Sequence, residues 1–141
     1  MSLTVDTLRS VSYRHAVVLS YRHLYRTALR TVRYTKPERV NVRNILRSAF
    51  RSGSSEDFSP QRIINTIRFI DRGKQPGTTE RKILKNLTRV NFYRGPSMVW
   101  NPPFFSKKRT NADYKFRSIP YVHFDNALHL LNESLELCLR C

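Results

Sequence analysis

Apolar residues recur at helical rather than alternating spacing along most of the chain, and each run carries its own start and stop signals. The longest stripe passes through Tyr21, Leu24, Ala28 and Val32, widened by Val17, Val18, Tyr25 and Leu29. It predicts a helix from about Tyr13 to Tyr34, halted because Lys36 precedes Pro37 and a residue before proline is pushed out of the α region. Residues 1–12 carry Leu3, Leu8 and Val11 at looser spacing, as a lead-in or an extra turn of that helix. Val42, Ile45, Leu46, Ala49 and Phe50 predict a second helix, with Thr35 and Glu38 in capping-box spacing, Pro37 in the first turn and Gly53 as a left-handed stop. Ser59 as N-cap, Pro60 in the first turn and the stripe Ile63, Ile64, Ile67 and Ile70 predict a third, closed by Gly73. Three apolar stripes with short connections suit an antiparallel three-helix bundle over residues 13–73.

The second half is less regular. Residues 74–90 begin with the turn Lys74-Gln75-Pro76-Gly77 and continue as a fourth helix, with Ile83, Leu84, Leu87 and Val90 apolar. From Asn91 to Phe124 periodicity lapses, and Gly95-Pro96, Asn101-Pro102-Pro103 and Ile119-Pro120 interrupt any element. This stretch is rich in aromatic residues, which predicts an extended arm over 91–124 lying along a surface rather than a solvated linker. Residues 125–141 predict a C-terminal helix capped by Asp125, with Leu128, Leu131, Leu135 and Cys138 on one face. The expected fold class is all-α.

Charge narrows the function. The chain has 26 Lys and Arg against 10 Asp and Glu, a net charge of +16, so an anionic partner is expected. Arg22, Arg26, Arg30 and Arg33 follow one another at steps of four, four and three, and Arg39, Arg43, Arg47 and Arg51 recur every four residues. Each set forms a rail along one helix flank, where like charges repel unless something acidic lies against them. Arginine predominates over lysine, which favours bidentate pairing with carboxylate or phosphate, hence an acidic protein face or an RNA backbone. Lys107, Lys108 and Arg109, with Trp100 and other aromatic residues nearby, suit a second contact with RNA or with a protein surface. A basic helix lying on an anionic membrane is a weaker alternative, because the bundle needs that helix's apolar face.

Catalytic signatures are missing. No HExxH, GxxxxGK or GxSxG pattern occurs, and Ser54-Ser55 has no neighbouring histidine, so a non-enzymatic protein is expected. Cys138 and Cys141 have the spacing of a zinc half-site or a redox pair, but His15, His23, His123 and His129 supply no partner spacing, and no metal is expected. No run reaches the length of a membrane span. The first ~30 residues are rich in arginine, serine and threonine, with Asp6 the single acid, as in an import signal to the mitochondrial matrix.

Leu24-Tyr25-Arg26 on a basic first helix resembles the signature of the LYR family of small mitochondrial proteins. The likeness covers about residues 13–73 and includes Val18-Leu19-Ser20-Tyr21 ahead of the tripeptide, Leu29-Arg30 and Arg33-Tyr34 after it, and Phe50-Arg51 at the end of helix two. It is nearest to members associated with assembly of the large mitoribosomal subunit. The resemblance implies a three-helix core that binds mitochondrial acyl carrier protein. No cofactor would be bound directly; the carrier would supply a 4'-phosphopantetheine bearing an acyl chain. Arg26 would pair with carrier carboxylates, Tyr25 would pack at the opening, and Arg22, Arg30, Arg43, Arg47 and Arg51 would extend the contact. Leu24, Ala28, Phe50 and Ile67 would line the acyl tunnel. The larger partner implied is the mitochondrial ribosome or its assembly intermediate; a respiratory complex, or rRNA bound without a carrier, is the alternative. Residues 79–141 have no counterpart in a minimal member.

Overall fold

The computed structural model describes residues 3–94 and 111–141, with the backbone alone for 111–118. Six helices make up the architecture of these residues: α1 (Val5–Ser10), α2 (Tyr13–Thr31), α3 (Glu38–Ser52), α4 (Pro60–Arg72), α5 (Thr79–Arg94) and α6 (Asn111–Ser134). The all-α expectation holds. Several boundaries and one segment differ from the sequence reading, each for a local reason.

The lead-in is a helix of its own. Thr4 and Thr7 form a reciprocal capping box, and extended backbone at Val11 ends the turn before α2 begins. Leu8 is thereby held at 2% exposure under α2 and α4. Helix α2 ends at Thr31, three residues earlier than predicted. Arg33 (φ 51°) and Tyr34 (φ 56°) are left-handed, and their N–H groups bond the carbonyls of Arg30 and Leu29, both at 3.1 Å. This is a Schellman closure with arginine where glycine usually sits, so the stop is made before Pro37 is reached. Pro37 itself is the N-cap of α3, and the expected capping box does not form. Thr35 instead donates to the Val32 carbonyl at 2.7 Å and lies 3.1 Å from Glu38 Oε2. Gly53 is extended (φ −71°) rather than left-handed. Helix α4 starts as read, with Ser59 accepting from the Arg62 N–H and Pro60 in the first turn.

Helix α2 is central. Helices α1, α3 and α4 pack on it, α5 packs on both α3 and α4, and Leu24, Ala28, Val42, Ile63, Ile64 and Ile70 of α2, α3 and α4 share one core. Ser20 has no exposed surface and returns its hydroxyl to the Ala16 carbonyl at 2.8 Å. Thr31 donates to the Ile70 carbonyl (2.9 Å) and Asn41 to the Thr88 carbonyl (3.2 Å), tying α2 to α4 and α3 to α5. Gly73 allows close passage of α5: a Cβ there would lie 2.9 Å from Leu84 Cδ1 and 3.2 Å from Thr31 Cγ2.

The predicted arm is corrected at both ends. Residues 91–94 complete α5, and 111–124 form the first half of α6, which carries Pro120 in its interior. Asp125 lies mid-helix and pairs bidentately with Arg94 at 2.8 and 2.9 Å, so it is not a cap. The remainder of the arm, including Trp100, Lys107, Lys108 and Arg109, lies outside the described residues. Helix α6 rests on α4 and α5 through Phe124, Leu128, Leu131, Phe69 and Leu87. It ends at Ser134, in a second Schellman turn with Glu136 left-handed (φ 49°) and the Leu137 N–H on the Asn132 carbonyl at 2.8 Å. Residues 137–141 are therefore not helical. Leu137 and Leu139 are buried at 2% and 7%, whereas Leu135 is exposed.

Candidate functional site

An apolar cavity of about 160 Å³ occupies the space between α3 and α4. Leu24 and Ala28 of α2 form its floor, Val42, Leu46, Ala49 and Phe50 of α3 one wall, and Ile63, Thr66 and Ile70 of α4 the other. Leu84 and Leu87 of α5 line one end, while Ser54, Asp57, Ser59 and Arg62 introduce polar groups where α3 passes into α4. Small side chains at Ala28, Ala49 and Gly53 leave the space unfilled. Of the four expected tunnel residues, Leu24, Ala28 and Phe50 line this cavity. Ile67 does not; it is half-buried against the hydrophobic core instead.

Phe50 also joins the cavity to the surface. Its ring meets Tyr21 edge-on at 5.4 Å, and Tyr21 stacks on Tyr25 at 5.9 Å, so three aromatic rings bridge α2 and α3. Arg22 and Arg26 flank the tyrosines in sequence, and Arg47 and Arg51 flank Phe50. Arg22, Arg26, Arg30, Arg43, Arg47 and Arg51 are all exposed, and no carboxylate among the described residues lies within ion-pairing distance of any of them. Four acidic groups are paired elsewhere: Glu133 with Arg62, Asp125 with Arg94, Asp71 with Lys74 and Asp57 with Arg140. The structure thus brings Tyr25 and Phe50 together through Tyr21, on the two helices that carry the arginine rails.

The C-terminal segment contributes residues that the sequence placed on a helix and the structure places in extended chain. Cys138, Leu139 and Arg140 line the cavity from the side of α4 and α5. The Asn132 carboxamide accepts from the Leu139 N–H (3.0 Å) and donates to its carbonyl (2.8 Å). The Cys138 N–H donates to Thr66 Oγ1 at 2.9 Å, and the Thr66 hydroxyl donates to the Arg62 carbonyl at 2.7 Å. Arg62 clasps Glu133 bidentately at 3.0 and 3.2 Å; that hydrogen bonding, with the guanidinium charge, holds the Glu133 carboxyl below its ordinary range. Burial pushes both thiols up, and a hydrogen bond with Thr66 offsets part of the shift at Cys138. The two sulfurs face different partners, Thr66 Oγ1 and the Leu87 carbonyl, rather than a shared ligand position. Among the described residues no three His, Cys, Asp or Glu side chains gather as a metal site, and no helix is long and apolar enough to cross a membrane.

Comparison with protein families, curated proteins and solved structures finds no match to this chain.

Proposed function

We propose that the chain is a non-enzymatic LYR-type adaptor of the mitochondrial matrix that binds acylated acyl carrier protein and docks it on a larger assembly, the mitochondrial ribosome or its assembly intermediate. The observation that carries this reading is the pairing of an apolar cavity with an aromatic bridge and an arginine surface that has no carboxylate partner among the described residues. An acidic helix would supply the missing counter-charges, with Arg26 and Arg22 of α2 and Arg47 and Arg51 of α3 as its contacts. A phosphopantetheine arm passing the Tyr21–Tyr25–Phe50 bridge would place its acyl chain against Leu24, Ala28 and Phe50, where burial of each methylene contributes about 0.8 kcal/mol. Bare RNA binding would account for the arginines but leaves the cavity without an occupant.

The test is co-expression with mitochondrial acyl carrier protein, purification at high salt and intact-mass analysis. A stoichiometric carrier bearing a medium or long acyl chain is the expected result. Phosphate contacts weaken log-linearly with salt, whereas a chain held in an apolar cavity resists it. Loss of every partner at high salt, with RNA recovered at low salt, would overturn the adaptor reading in favour of an rRNA-binding protein.

A further inference from the structure

Helices α2, α3, α5 and α4 pack in turn around the cavity, and a further, non-helical segment also lines it: Cys138, Leu139 and Arg140. Residues 137–141 cross α4 at Thr66, and Cys141 lies against the Leu87 carbonyl of α5. We propose that this C-terminal strap, residues 137–141, is the wall that limits the length of apolar chain the cavity accepts, with Leu139 as the limiting side chain. The inference rests on the adaptor reading for the identity of the ligand, an acyl chain delivered through the aromatic bridge on the α2–α3 side.

Three observations carry it. The strap and Phe50, the inner ring of the aromatic bridge, line the same cavity, so a chain entering past Phe50 shares that space with Leu139. Its path is set by backbone hydrogen bonds: both polar groups of Leu139 go to the Asn132 carboxamide, and the Cys138 N–H goes to Thr66. The Leu139 side chain therefore takes no part in fixing its own position beyond its contacts with Phe69 and Leu87, and its size can change while the strap stays in place. Finally, Arg62 and Glu133 clamp α6 to α4 from outside, so the strap's own turn at Glu136 is anchored to the same helix that forms the cavity wall. The interior surfaces of α2 to α5 are fixed by helix packing, whereas this wall is non-helical and pinned by side-chain hydrogen bonds.

The experiment compares wild type, Leu139→Ala and Leu139→Phe, each co-expressed as the full chain with mitochondrial acyl carrier protein, by intact mass of the co-purified carrier. Leu139→Ala is expected to shift the bound acyl chains longer by about two to four carbons, the length its three lost carbons vacate, and Leu139→Phe to shift them shorter. Circular dichroism establishes that each variant is folded. An unchanged chain-length distribution in both folded variants overturns the inference while leaving the adaptor reading intact. Should wild type recover no acylated carrier, that reading fails instead, and the strap is tested on the chain alone with a fluorescent long-chain fatty acid. Binding at least about tenfold tighter in Leu139→Ala than in wild type, the factor worth 1.4 kcal/mol, supports the wall, and equal binding overturns it.

Discussion

Replacing Ala49 by leucine fills the cavity from the α3 wall and separates a void from a solid core by the sign of one measurement. Leucine adds three carbons, worth at most ~2.4 kcal/mol on burial, and loses roughly 0.5–1 kcal/mol of side-chain entropy. Its helix propensity is close to that of alanine, so α3 itself is little affected. The net expectation is a gain of about 1–2 kcal/mol, or a midpoint of thermal unfolding raised by roughly 3–8 °C for a chain of this size. The same variant, co-expressed with acyl carrier protein, is expected to recover less carrier or carrier with shorter chains. Thermal unfolding followed by circular dichroism and intact mass together provide the assay. A midpoint lowered by overpacking, with the carrier retained and its acyl chain unchanged, would show that Ala49 faces filled space and would refute the argument.

Other outcomes follow from single contacts. Arg26→Glu, at an exposed site with no carboxylate partner among the described residues, is expected to leave helicity unchanged and to weaken carrier binding at least about tenfold; full binding in a pull-down would remove Arg26 from the interface. Gly73→Ala, although its backbone is right-handed, brings a Cβ to 2.9 Å from Leu84 Cδ1 and 3.1 Å from the Ile70 carbonyl, and is expected to cost about 1–3 kcal/mol in denaturant unfolding. The Glu133 carboxyl is held down by Arg62, so the clamp's contribution is complete above the ordinary glutamate value near ~4.3 and is lost as pH falls through the lowered one. Amide exchange at Leu137 and Leu139, corrected for intrinsic rate, is expected to accelerate over that acidic window, and Arg62→Gln to remove the dependence.

Helices α2, α3 and α4 were legible because their interior residues follow one another at local spacing, and Leu24, Ala28, Val42, Ile63, Ile64 and Ile70 are buried as that spacing requires. Helix α6 was not, since Pro120 reads as a breaker from sequence and the helix nonetheless continues through it. In the C-terminal segment, Leu131, Leu135 and Cys138 mimic a helical face, while the buried pair Leu137 and Leu139 has the two-residue spacing of extended chain. Asn132 before that alternation was the available signal for a strap. The cavity was visible only indirectly, through small residues at Ala28, Ala49 and Gly53 set among larger apolar ones. Thr31, Asn41 and Thr66 stayed hidden because their decisive partners lie 39, 47 and 72 residues away.

The buried amide of Asn41 acts on which arrangement forms more than on how tightly it holds. Two helices meeting through aliphatic side chains alone can slide by a turn at modest cost, since one leucine contact resembles the next. The Asn41 to Thr88 hydrogen bond has no such equivalent, because any displaced register leaves a buried amide without a partner, a penalty of about 1–3 kcal/mol. Replacing Asn41 by leucine would therefore trade one alignment of α3 against α5 for several of similar energy, and the cavity bounded by those two helices would lose its defined shape before the chain lost its fold.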